Sequence, residues 1–464
     1  MCGIFGVDGH EDAANYVYLG LYALQHRGQE SAGLVSEHEG RFHVERGMGY
    51  VADIFSQRAL ARLPGTRAIG HTRYSTTGSS VTANAQPFVV NTSMGPLALV
   101  HNGNLVNAAS LRQELEQDGS IFQTTSDTEV ILHLMARNPR ADVAEALMEA
   151  LKQVRGAYSL VLLSRDCLIG ARDSYGFKPL QLGNYEGAAC FGSETCAFDL
   201  LEAEIVRDVE LGEVVVSRNG ELETYRQPVE AAPARCVFEQ VYFARPDSRI
   251  FGDSVSDSRL KMGGTLAREA PAAADIVVPV PDSGLFCALG YARESGLPLE
   301  FGLIRNHYVG RTFIEPKQSI RHFGVKVKLN PVRELIQGRR VVLVDDSIVR
   351  GTTAPKIVKM VRDAGASEVH LRIGCPPTIS PCHYGIDMPT TEELIASNHD
   401  LEEIRAFAGA DSLAYLSIDG MLAAVSGPRQ SYCTACWTGE YPVDLSDVDR
   451  RQKDLFLIRT EEET

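Results

Sequence analysis

The sequence predicts a protein of two parts, a strand-rich α+β half followed by an α/β half. Short apolar runs bounded by polar residues, at Ser159–Leu163 and Gly212–Val216, have the pattern of strands. Further on, Val341–Val344 forms an apolar run that leads through a loop into a helical pattern at Ala354–Ala364. A proline-rich stretch interrupts any regular element near residues 228–235, so we place the boundary between the two parts there.

The composition is typical of a soluble protein, and the charge excludes some classes of binding partner. The 464 residues carry 60 Asp and Glu against 45 Lys and Arg, a formal net charge of −15. That charge argues against a nucleic-acid surface, which needs clustered Lys and Arg. No apolar run approaches the ~20 residues of a transmembrane helix, and the chain does not start like a signal peptide. Ten cysteines without secretory signals indicate reduced, catalytic or metal-binding thiols. We therefore expect a cytoplasmic protein that binds neither nucleic acid nor membrane.

The first candidate nucleophile is Cys2. Removal of Met1 would leave a cysteine with a free α-amino group. That amine has an ordinary pKa near ~8, close enough to neutrality to accept the proton of its own thiol. Taken alone, Cys2 is equally well explained as a small buried residue.

Later segments supply the other groups that a glutamine-hydrolysing site needs. Such a site requires a cation for the α-carboxylate, an anion for the α-ammonium and donors for the oxyanion. Arg73 can bind the carboxylate through its guanidinium, and Asp127 can bind the ammonium. The side chain of Asn102 and the N–H of Gly103 can form the oxyanion hole. Simpler explanations exist, because Asn-Gly is a common hairpin turn and Asp127 can cap a helix.

Taken together, these motifs resemble the N-terminal-nucleophile, or class II, glutamine amidotransferases over roughly residues 2–230. The resemblance implies an αββα sandwich with its active site between the layers. It also implies that Cys2 is the nucleophile and that the other four residues have the roles described above. Many relatives carry a short propeptide before the cysteine, whereas here we expect ordinary removal of Met1 to be sufficient.

The second half is organised around the strand Val341–Val344. Asp345 and Asp346 stand at its carboxyl end, where ligands bind in open α/β sheets. The loop Ser347–Thr353 then feeds a helix N-terminus, which offers N–H groups to a phosphate. Paired carboxylates beside it can hold sugar hydroxyls or a hard cation. We predict a ribose-phosphate site with Mg²⁺, and the alternative is an ordinary strand-to-helix connection with solvated acids.

This pattern resembles the phosphoribosyl pyrophosphate (PRPP) motif of type I phosphoribosyltransferases. A second strand and loop, Ala274–Gly284, suits a pyrophosphate loop in which Ser283 joins the two aspartates around one Mg²⁺, although a plain connection explains it too. Basic residues between 305 and 331 resemble the mobile flap of such enzymes, although most charge runs are solvated faces. The PRPP-binding residues expected from these resemblances are Asp345, Asp346, Ser347, Arg350, Gly351, Thr352, Thr353, Lys326 and Lys328.

From Cys2 to about residue 440, the chain resembles the amidophosphoribosyltransferase family. The resemblance implies that glutamine, PRPP and water give 5-phosphoribosylamine, pyrophosphate and glutamate in the first step of de novo purine biosynthesis. It also implies a homotetramer inhibited by purine nucleotides. We predict a glutaminase domain over residues 2–230, a phosphoribosyltransferase domain over residues 231–444, and a terminal helix with an acidic tail over residues 445–464.

Four cysteines are candidate metal ligands. Cys433 and Cys436 form a C-x-x-C motif, while Cys236 and Cys382 stand far away in sequence. Four thiolates can hold zinc or an iron–sulfur cluster, and spacing does not decide between them. Free buried thiols are the third explanation. One branch of the family holds a [4Fe–4S] cluster at these four positions, so the resemblance implies one such cluster here.

Three other functions compete with this interpretation. Another class II amidotransferase would need a different second half, without the loop that begins at Asp345. A nucleotide-sensing regulator with an inactive transferase fold is disfavoured by the intact Cys2, Arg73 and Asp127. A glutaminase whose second half only senses PRPP is distinguished by a transfer assay, because it would not move nitrogen to PRPP.

Overall fold

Two antiparallel sheets stack face to face in the N-terminal half. The protein was analysed as a computed structural model, which describes residues 1–74, 80–227, 232–306 and 329–448. The strands of this half are β1 (Gly3–Asp8), β2 (Ser31–His38), β3 (Arg41–Met48), β4 (Arg67–Arg73), β5 (Phe88–Thr92), β6 (Gly95–Leu105), β7 (Gly156–Leu163), β8 (Leu168–Arg172), β9 (Gln181–Tyr185), β10 (Ala188–Gly192), β11 (Glu204–Asp208), β12 (Glu213–Arg218) and β13 (Glu221–Arg226).

Strand order puts the most apolar strands at the centre of each sheet. The seven-stranded sheet runs β11-β9-β10-β1-β4-β2-β3, and the six-stranded sheet runs β13-β12-β8-β7-β6-β5. Ile4 and Ile69 of the first sheet pack against Val100, Val161 and Val215 of the second in one buried cluster. Because side chains alternate along a strand, the opposite face of each sheet is left for helices.

Helices cover both outer faces. Apolar residues of α1 (Ala13–Ala23) and α7 (Thr195–Leu201) share a core with the first sheet. Those of α4 (Ala108–Gln117), α5 (Thr128–Arg137) and α6 (Val143–Leu151) share a core with the second. The expected αββα sandwich is therefore confirmed. The helices of this half are α1 (Ala13–Ala23), α2 (Val51–Ile54), α3 (Gln57–Leu60), α4 (Ala108–Gln117), α5 (Thr128–Arg137), α6 (Val143–Leu151) and α7 (Thr195–Leu201).

The C-terminal half contains a parallel sheet among helices. Its strands are β14 (Arg235–Cys236), β15 (Arg249–Ile250), β16 (Asp253–Ser254), β17 (Ile276–Pro279), β18 (Leu303–Arg305), β19 (Leu329–Pro331), β20 (Arg340–Asp345), β21 (Glu368–Ile373), β22 (Ser412–Tyr415) and β23 (Tyr432–Cys433). Its helices are α8 (Val255–Glu269), α9 (Leu285–Ser295), α10 (Arg333–Ile336), α11 (Ala354–Asp363), α12 (Ile395–Asn398), α13 (Leu401–Ala408), α14 (Ile418–Leu422) and α15 (Ala435–Thr438).

The central parallel sheet has the order β17-β20-β21-β22, and the predicted strand at Val341–Val344 is its buried core strand β20. The predicted helix after it is α11, whose Ile357, Val358 and Val361 face the core. The α/β class of this half is thus confirmed, and the loop from Asp346 to Thr353 lies at the carboxyl end of the sheet, where ligands bind.

The connection between the halves packs back onto the first half. The N–H of Ala234 donates to the carbonyl of Tyr175 at 2.8 Å, and that of Cys236 donates to Phe177 at 3.0 Å. Residues 228–231, at the predicted boundary, lie outside the described ranges. Of the predicted terminal helix at 445–464, the described residues 445–448 form a turn. None of the helices in the described part of the chain has the length and apolar composition to cross a bilayer.

Candidate active sites

Cys2 lies at the start of β1, inside the sandwich. It is 9% exposed, and its thiol lies 3.7 Å from the carbonyl oxygen of Tyr74. Its backbone N–H donates to Oδ1 of Asn102 at 3.1 Å. This N–H becomes the α-amine once Met1 is removed. The two residues that the sequence places 100 positions apart are therefore in direct contact, and the nitrogen of Cys2 already has a fixed acceptor.

Asn102 and Gly103 belong to β6 and not to a hairpin turn. Both are paired in register with β7, opposite Ser159 and Tyr158. Within the described residues, Nδ2 of Asn102 is buried without a hydrogen-bond partner. A Cβ at Gly103 would lie 2.0 Å from the carbonyl oxygen of Ala157, so only glycine fits there. An unpaired buried donor beside a nucleophile is what an oxyanion hole needs.

Asp127 sits at the N-cap position of α5, but its side chain does not cap that helix. One of its carboxylate oxygens accepts from the N–H of Leu105 at 2.9 Å, which brings Asp127 beside the end of β6. Arg73 ends β4, is buried, and lies 3.8 Å from a carboxylate oxygen of Glu30. The structure therefore brings four of the five predicted glutaminase residues around β6 and β1, with Arg73 next to Tyr74, whose carbonyl contacts the Cys2 thiol.

A buried group of charges holds the backbone of Cys2. Nε of Arg27 donates to the carbonyl of Cys2 at 2.9 Å. Its guanidinium, which is 0% exposed, also pairs with Glu194 and with Glu239, the latter at 2.8 Å. His26 contacts Glu194 at 2.8 Å. Burial raises the pKa of Glu194, but His26 and Arg27 more than reverse this and hold it well below its ordinary value. Glu239 belongs to the second half, so both halves fix the position of Cys2.

His71 does not compete with the amine as a base. Its Nε2 lies 3.2 Å from the carbonyl of His101. Burial lowers the pKa of His71 to about 3, which keeps the ring uncharged at neutral pH. Burial also lowers the pKa of the terminal amine of Met1 to about 6. Burial therefore favours the uncharged form of the Met1 amine.

The second site is a cavity of about 490 Å³ at the carboxyl end of the parallel sheet. It brings together predicted residues from the two strand-to-helix loops of this sheet. Those lining the cavity are Ser283, Asp345, Asp346, Ser347, Arg350, Gly351, Thr352 and Thr353. Lys326 and Lys328 fall within 307–328 and lie outside the described residues.

The two aspartates at this cavity differ in environment. Asp345 accepts the N–H of Asp346 at 2.9 Å, and Asp346 accepts the hydroxyl of Ser347 at 2.6 Å. Burial and the neighbouring Asp346 raise the pKa of Asp345 well above its ordinary value. Two close carboxylates of this kind favour a bound cation, which would offset their repulsion.

The N-terminal half also contributes to this cavity. His26 and Tyr74 line it, together with Phe238 and Tyr242 from the connecting segment. Tyr74 contacts the Cys2 thiol through its carbonyl, and His26 precedes Arg27, which holds the Cys2 carbonyl. Tyr74 therefore lines one site and contacts the candidate nucleophile of the other.

The four candidate metal ligands converge on one small cavity. Cys236 and Cys433 lie opposite each other where β14 and β23 pair in parallel. Cys436 is on α15, and the sulfur of Cys382 accepts the N–H of Tyr384 at 3.3 Å. Burial raises the pKa of Cys236 to about 11. In the part of the chain that the structure describes, no three His, Cys, Asp or Glu side chains are arranged to hold a single metal ion.

The residues after Cys382 pack on the glutaminase strand. The carbonyl of His383 accepts the Nδ2 of Asn104 at 2.9 Å. A Cβ at Gly385 would lie 2.7 Å from the carbonyl carbon of Gly103, so the two backbones are in contact. The cysteine cavity and the proposed oxyanion hole thus share one wall.

Comparisons with known proteins agree with this geometry. Residues 71–199 match the model of a glutamine amidotransferase domain. A chloroplastic amidophosphoribosyltransferase of Vigna aconitifolia is 51% identical over 449 residues, which cover 97% of this chain and 92% of the relative. The chain belongs to the amidophosphoribosyltransferase family. An amidophosphoribosyltransferase of Archaeoglobus fulgidus is also 51% identical, and the match covers 96% of this chain and 98% of the relative.

A solved structure extends the agreement to three dimensions. The glutamine PRPP amidotransferase of B. subtilis, complexed with ADP and GMP, matches with a TM-score of 0.90 and 45% identity, covering 96% of this chain and 98% of that one. The predicted family, fold class and function are confirmed. The chain is an amidophosphoribosyltransferase-type enzyme, which aminates PRPP with nitrogen from glutamine in the first step of purine biosynthesis.

Four residues escaped the sequence analysis, namely Arg27, Lys178, Glu194 and Glu239. All four are charged, and a charged residue is usually expected at the surface. Their burial follows from the docking of two halves, which no local pattern reveals.

Proposed function

We propose that Cys2, freed of Met1, is the glutaminase nucleophile and that its own amine takes the thiol proton. The contact between the Cys2 nitrogen and Asn102, with Nδ2 of Asn102 left unpaired, is the observation that supports this most directly. We also propose that the Asn102 side chain and the Gly103 N–H stabilise the oxyanion. Arg73 and Asp127 then hold the α-carboxylate and α-ammonium of glutamine.

In this mechanism the thiolate attacks the amide carbon and a tetrahedral oxyanion forms. The C–N bond breaks, ammonia leaves with the proton from the amine, and a glutamyl thioester stays on Cys2. Water then hydrolyses the thioester to release glutamate. Burial lowers the pKa of the Met1 amine, one residue earlier, and the same kind of environment would favour the uncharged, basic form of the Cys2 amine.

At the second site we propose that PRPP occupies the cavity at the end of the parallel sheet. Ser347, Gly351, Thr352 and Thr353 cradle the 5′-phosphate through backbone N–H groups and hydroxyls, at the N-terminus of α11. Asp345 and Asp346 face the ribose, and Arg350 the phosphate. We extend the proposal to Lys326 and Lys328 as pyrophosphate ligands, from the sequence alone.

We propose one Mg²⁺ at Asp345 and Asp346, with Ser283 nearby. Mg²⁺ is typically held by one or two carboxylates plus substrate phosphates, which agrees with the pair of aspartates at this cavity. When bound, it would offset the charge of the leaving pyrophosphate. Ammonia attacks C1 of the ribose as the bond to pyrophosphate breaks, and the closeness of the two sites at Tyr74 supports direct transfer between them.

We propose that Cys236, Cys382, Cys433 and Cys436 hold one [4Fe–4S] cluster that joins the connecting segment to the C-terminal turn. A cluster spreads its four thiolates around a cage, whereas zinc gathers them within about 2.3 Å of one ion. Four cysteines from distant segments around one cavity support a group that takes four thiolates, and the family resemblance in the sequence favours the cluster over zinc. Its contribution would be structural.

We further propose the domain division at residues 2–230, 231–444 and 445–464, a homotetramer, and a cytoplasmic location. Purine nucleotides are proposed inhibitors, supported by the complex of the B. subtilis relative with ADP and GMP.

The test is release of pyrophosphate from PRPP and Mg²⁺, with glutamine or ammonium as nitrogen donor, on anaerobically prepared protein. We expect Cys2→Ala to lose the glutamine-dependent reaction and keep the ammonium-dependent one. Cys190→Ala, which changes another buried cysteine in the neighbouring strand β10, serves as the matched control and should keep both. If Cys2→Ala retained glutamine-dependent release, or if neither donor worked with intact protein, the assignment of these sites would be wrong.

A further inference from the structure

Lys178 is a buried cation that has no oxygen partner among the described residues. Its side chain is 0% exposed, yet an ammonium group carries three N–H donors. Its hydrogen bond among the described residues goes to the thioether sulfur of Met1, at 3.2 Å. A thioether is a weak acceptor, and burying a charge is costly unless strong partners surround it. Removal of Met1, which the proposed nucleophile requires, takes even this acceptor away.

Glu239, a carboxylate whose charge acts on Lys178, is already bound by another cation. Both oxygens of Glu239 accept from Arg27, at 2.8 and 3.1 Å. Arg27 also pairs with Glu194. Among the described residues, neither Glu194 nor Glu239 forms an ion pair with Lys178, so neither carboxylate is a direct partner of its ammonium.

Lys178 directly follows Phe177, which lines the cysteine cavity. The groups whose negative charge acts on its ammonium are Cys236, Glu239 and Cys382. The backbone links them too, because the N–H of Cys236 donates to the carbonyl of Phe177, the residue before Lys178. Phe177 itself lines the cysteine cavity and stacks on Tyr384, with ring centroids 4.2 Å apart.

We propose that Lys178 is the positive partner of the iron–sulfur cluster, donating its N–H groups to the sulfurs of Cys236 and Cys382. The inference rests on the proposed cluster. Metal binding converts these thiols to thiolates, which carry the negative charge that Lys178 lacks. Hydrogen bonds and positive charge beside cluster sulfurs favour the reduced state. Lys178 is thus a positioning residue that retains the cluster and raises its reduction potential.

The test compares Lys178→Met, which removes the charge, with Lys178→Arg, which keeps it, in full-length protein prepared without oxygen. Iron and sulfide content, the midpoint potential from a redox titration followed by electron paramagnetic resonance, and the rate of cluster loss to a chelator are measured. We expect Lys178→Met to lower the midpoint potential and to lose its cluster roughly 10- to 100-fold faster. Lys178→Arg should stay close to wild type.

Two further variants separate the charge from general loosening of the fold. Leu147→Ala, which opens the core of α6 on the far side of the second sheet, should leave the potential unchanged. Lys178→Gln keeps N–H donors without charge and should also lower the potential, which provides a neutral variant if Lys178→Met does not fold.

Unchanged potential and cluster-loss rate in the neutral variants would overturn the inference while leaving the cluster in place. Wild-type protein without iron and sulfide would overturn both the cluster and its partner. Ammonium-dependent pyrophosphate release, measured on the same preparation, reports separately on the transferase function.

Discussion

The oxyanion hole can be tested by changing a single atom of Asn102. Asn102→Asp keeps the oxygen that accepts from the Cys2 nitrogen and replaces Nδ2 by a second oxygen. Within the described residues Nδ2 has no partner in the resting protein, so its loss leaves no ground-state hydrogen bond broken. The lost donor therefore acts on the transition state, where the new carboxylate also repels the oxyanion. Removing one donor from an oxyanion hole costs about 10²- to 10³-fold in kcat, or about 2.7–4 kcal/mol.

The assay is kcat for glutamine-dependent and for ammonium-dependent pyrophosphate release. We expect a fall of about 10²-fold or more with glutamine, and an unchanged rate with ammonium, which bypasses the hole. Asn91→Asp adds the same charge at an exposed position of β5 and controls for it. A fall of less than about threefold with glutamine, or an equal fall with both donors, would refute the assignment, since loss of one donor predicts at least about 10²-fold on one reaction alone.

Three more predictions concern buried charge and backbone geometry. Arg27→Met leaves Glu194 and Glu239 buried without their cation, and we expect it to cost about 3–5 kcal/mol in unfolding experiments. Because Glu194 has a pKa below its ordinary value in the folded protein, its stabilising effect is complete above the ordinary glutamate value of about 4.3 and is lost as pH falls. Glu194→Gln should therefore lower the thermal midpoint near neutral pH and make it fall less steeply in acid. Gly351 has φ +72° in the phosphate loop, and a Cβ there would lie 2.4 Å from Ile395. Gly351→Ala should raise the PRPP concentration required by roughly five- to thirtyfold.

Each of these has its own contrary result. If Arg27→Met unfolded with the same free energy as wild type, the two glutamates would have other partners and the prediction would be wrong. If the thermal midpoint of Glu194→Gln fell as steeply with decreasing pH as that of wild type, the role given to Glu194 would be wrong. Gly338→Ala is the control for the loop glycine, because Gly338 has φ +73° with nothing near its Cβ position. If the two glycine variants changed PRPP use equally, the loop geometry would be irrelevant to binding.

Much of the fold could be predicted because local patterns agree with the final structure. The apolar run Val341–Val344 became a fully buried strand, and the helix predicted at Ala354–Ala364 runs from Ala354 to Asp363. Both are short-range signals, set by strand burial and helical periodicity. Asn102 and Gly103 were assigned through a family pattern, which proved stronger than the hairpin preference of the dipeptide, since both lie in β6.

The residues that were missed depend on contacts between distant segments. Arg27 and Glu239 are 212 positions apart and meet only because the connecting segment folds back over the first half. Lys178 is a charged residue in an apolar stretch, and it is 0% exposed only in the folded protein. Hydrophobic periodicity and turn preferences extend over a few residues, so they carry no information about contacts between distant segments.

The contact between Gly103 and Gly385 limits how this protein can be rearranged. Two backbones touch there without side chains, one from each half, so neither residue can change without moving the other. A different second half joined to this first half would need a residue without a side chain at the position of Gly385. Hybrids that lack it should hydrolyse glutamine poorly even when each half folds. Neither half can therefore be replaced by an unrelated domain without disturbing the contact at Gly103.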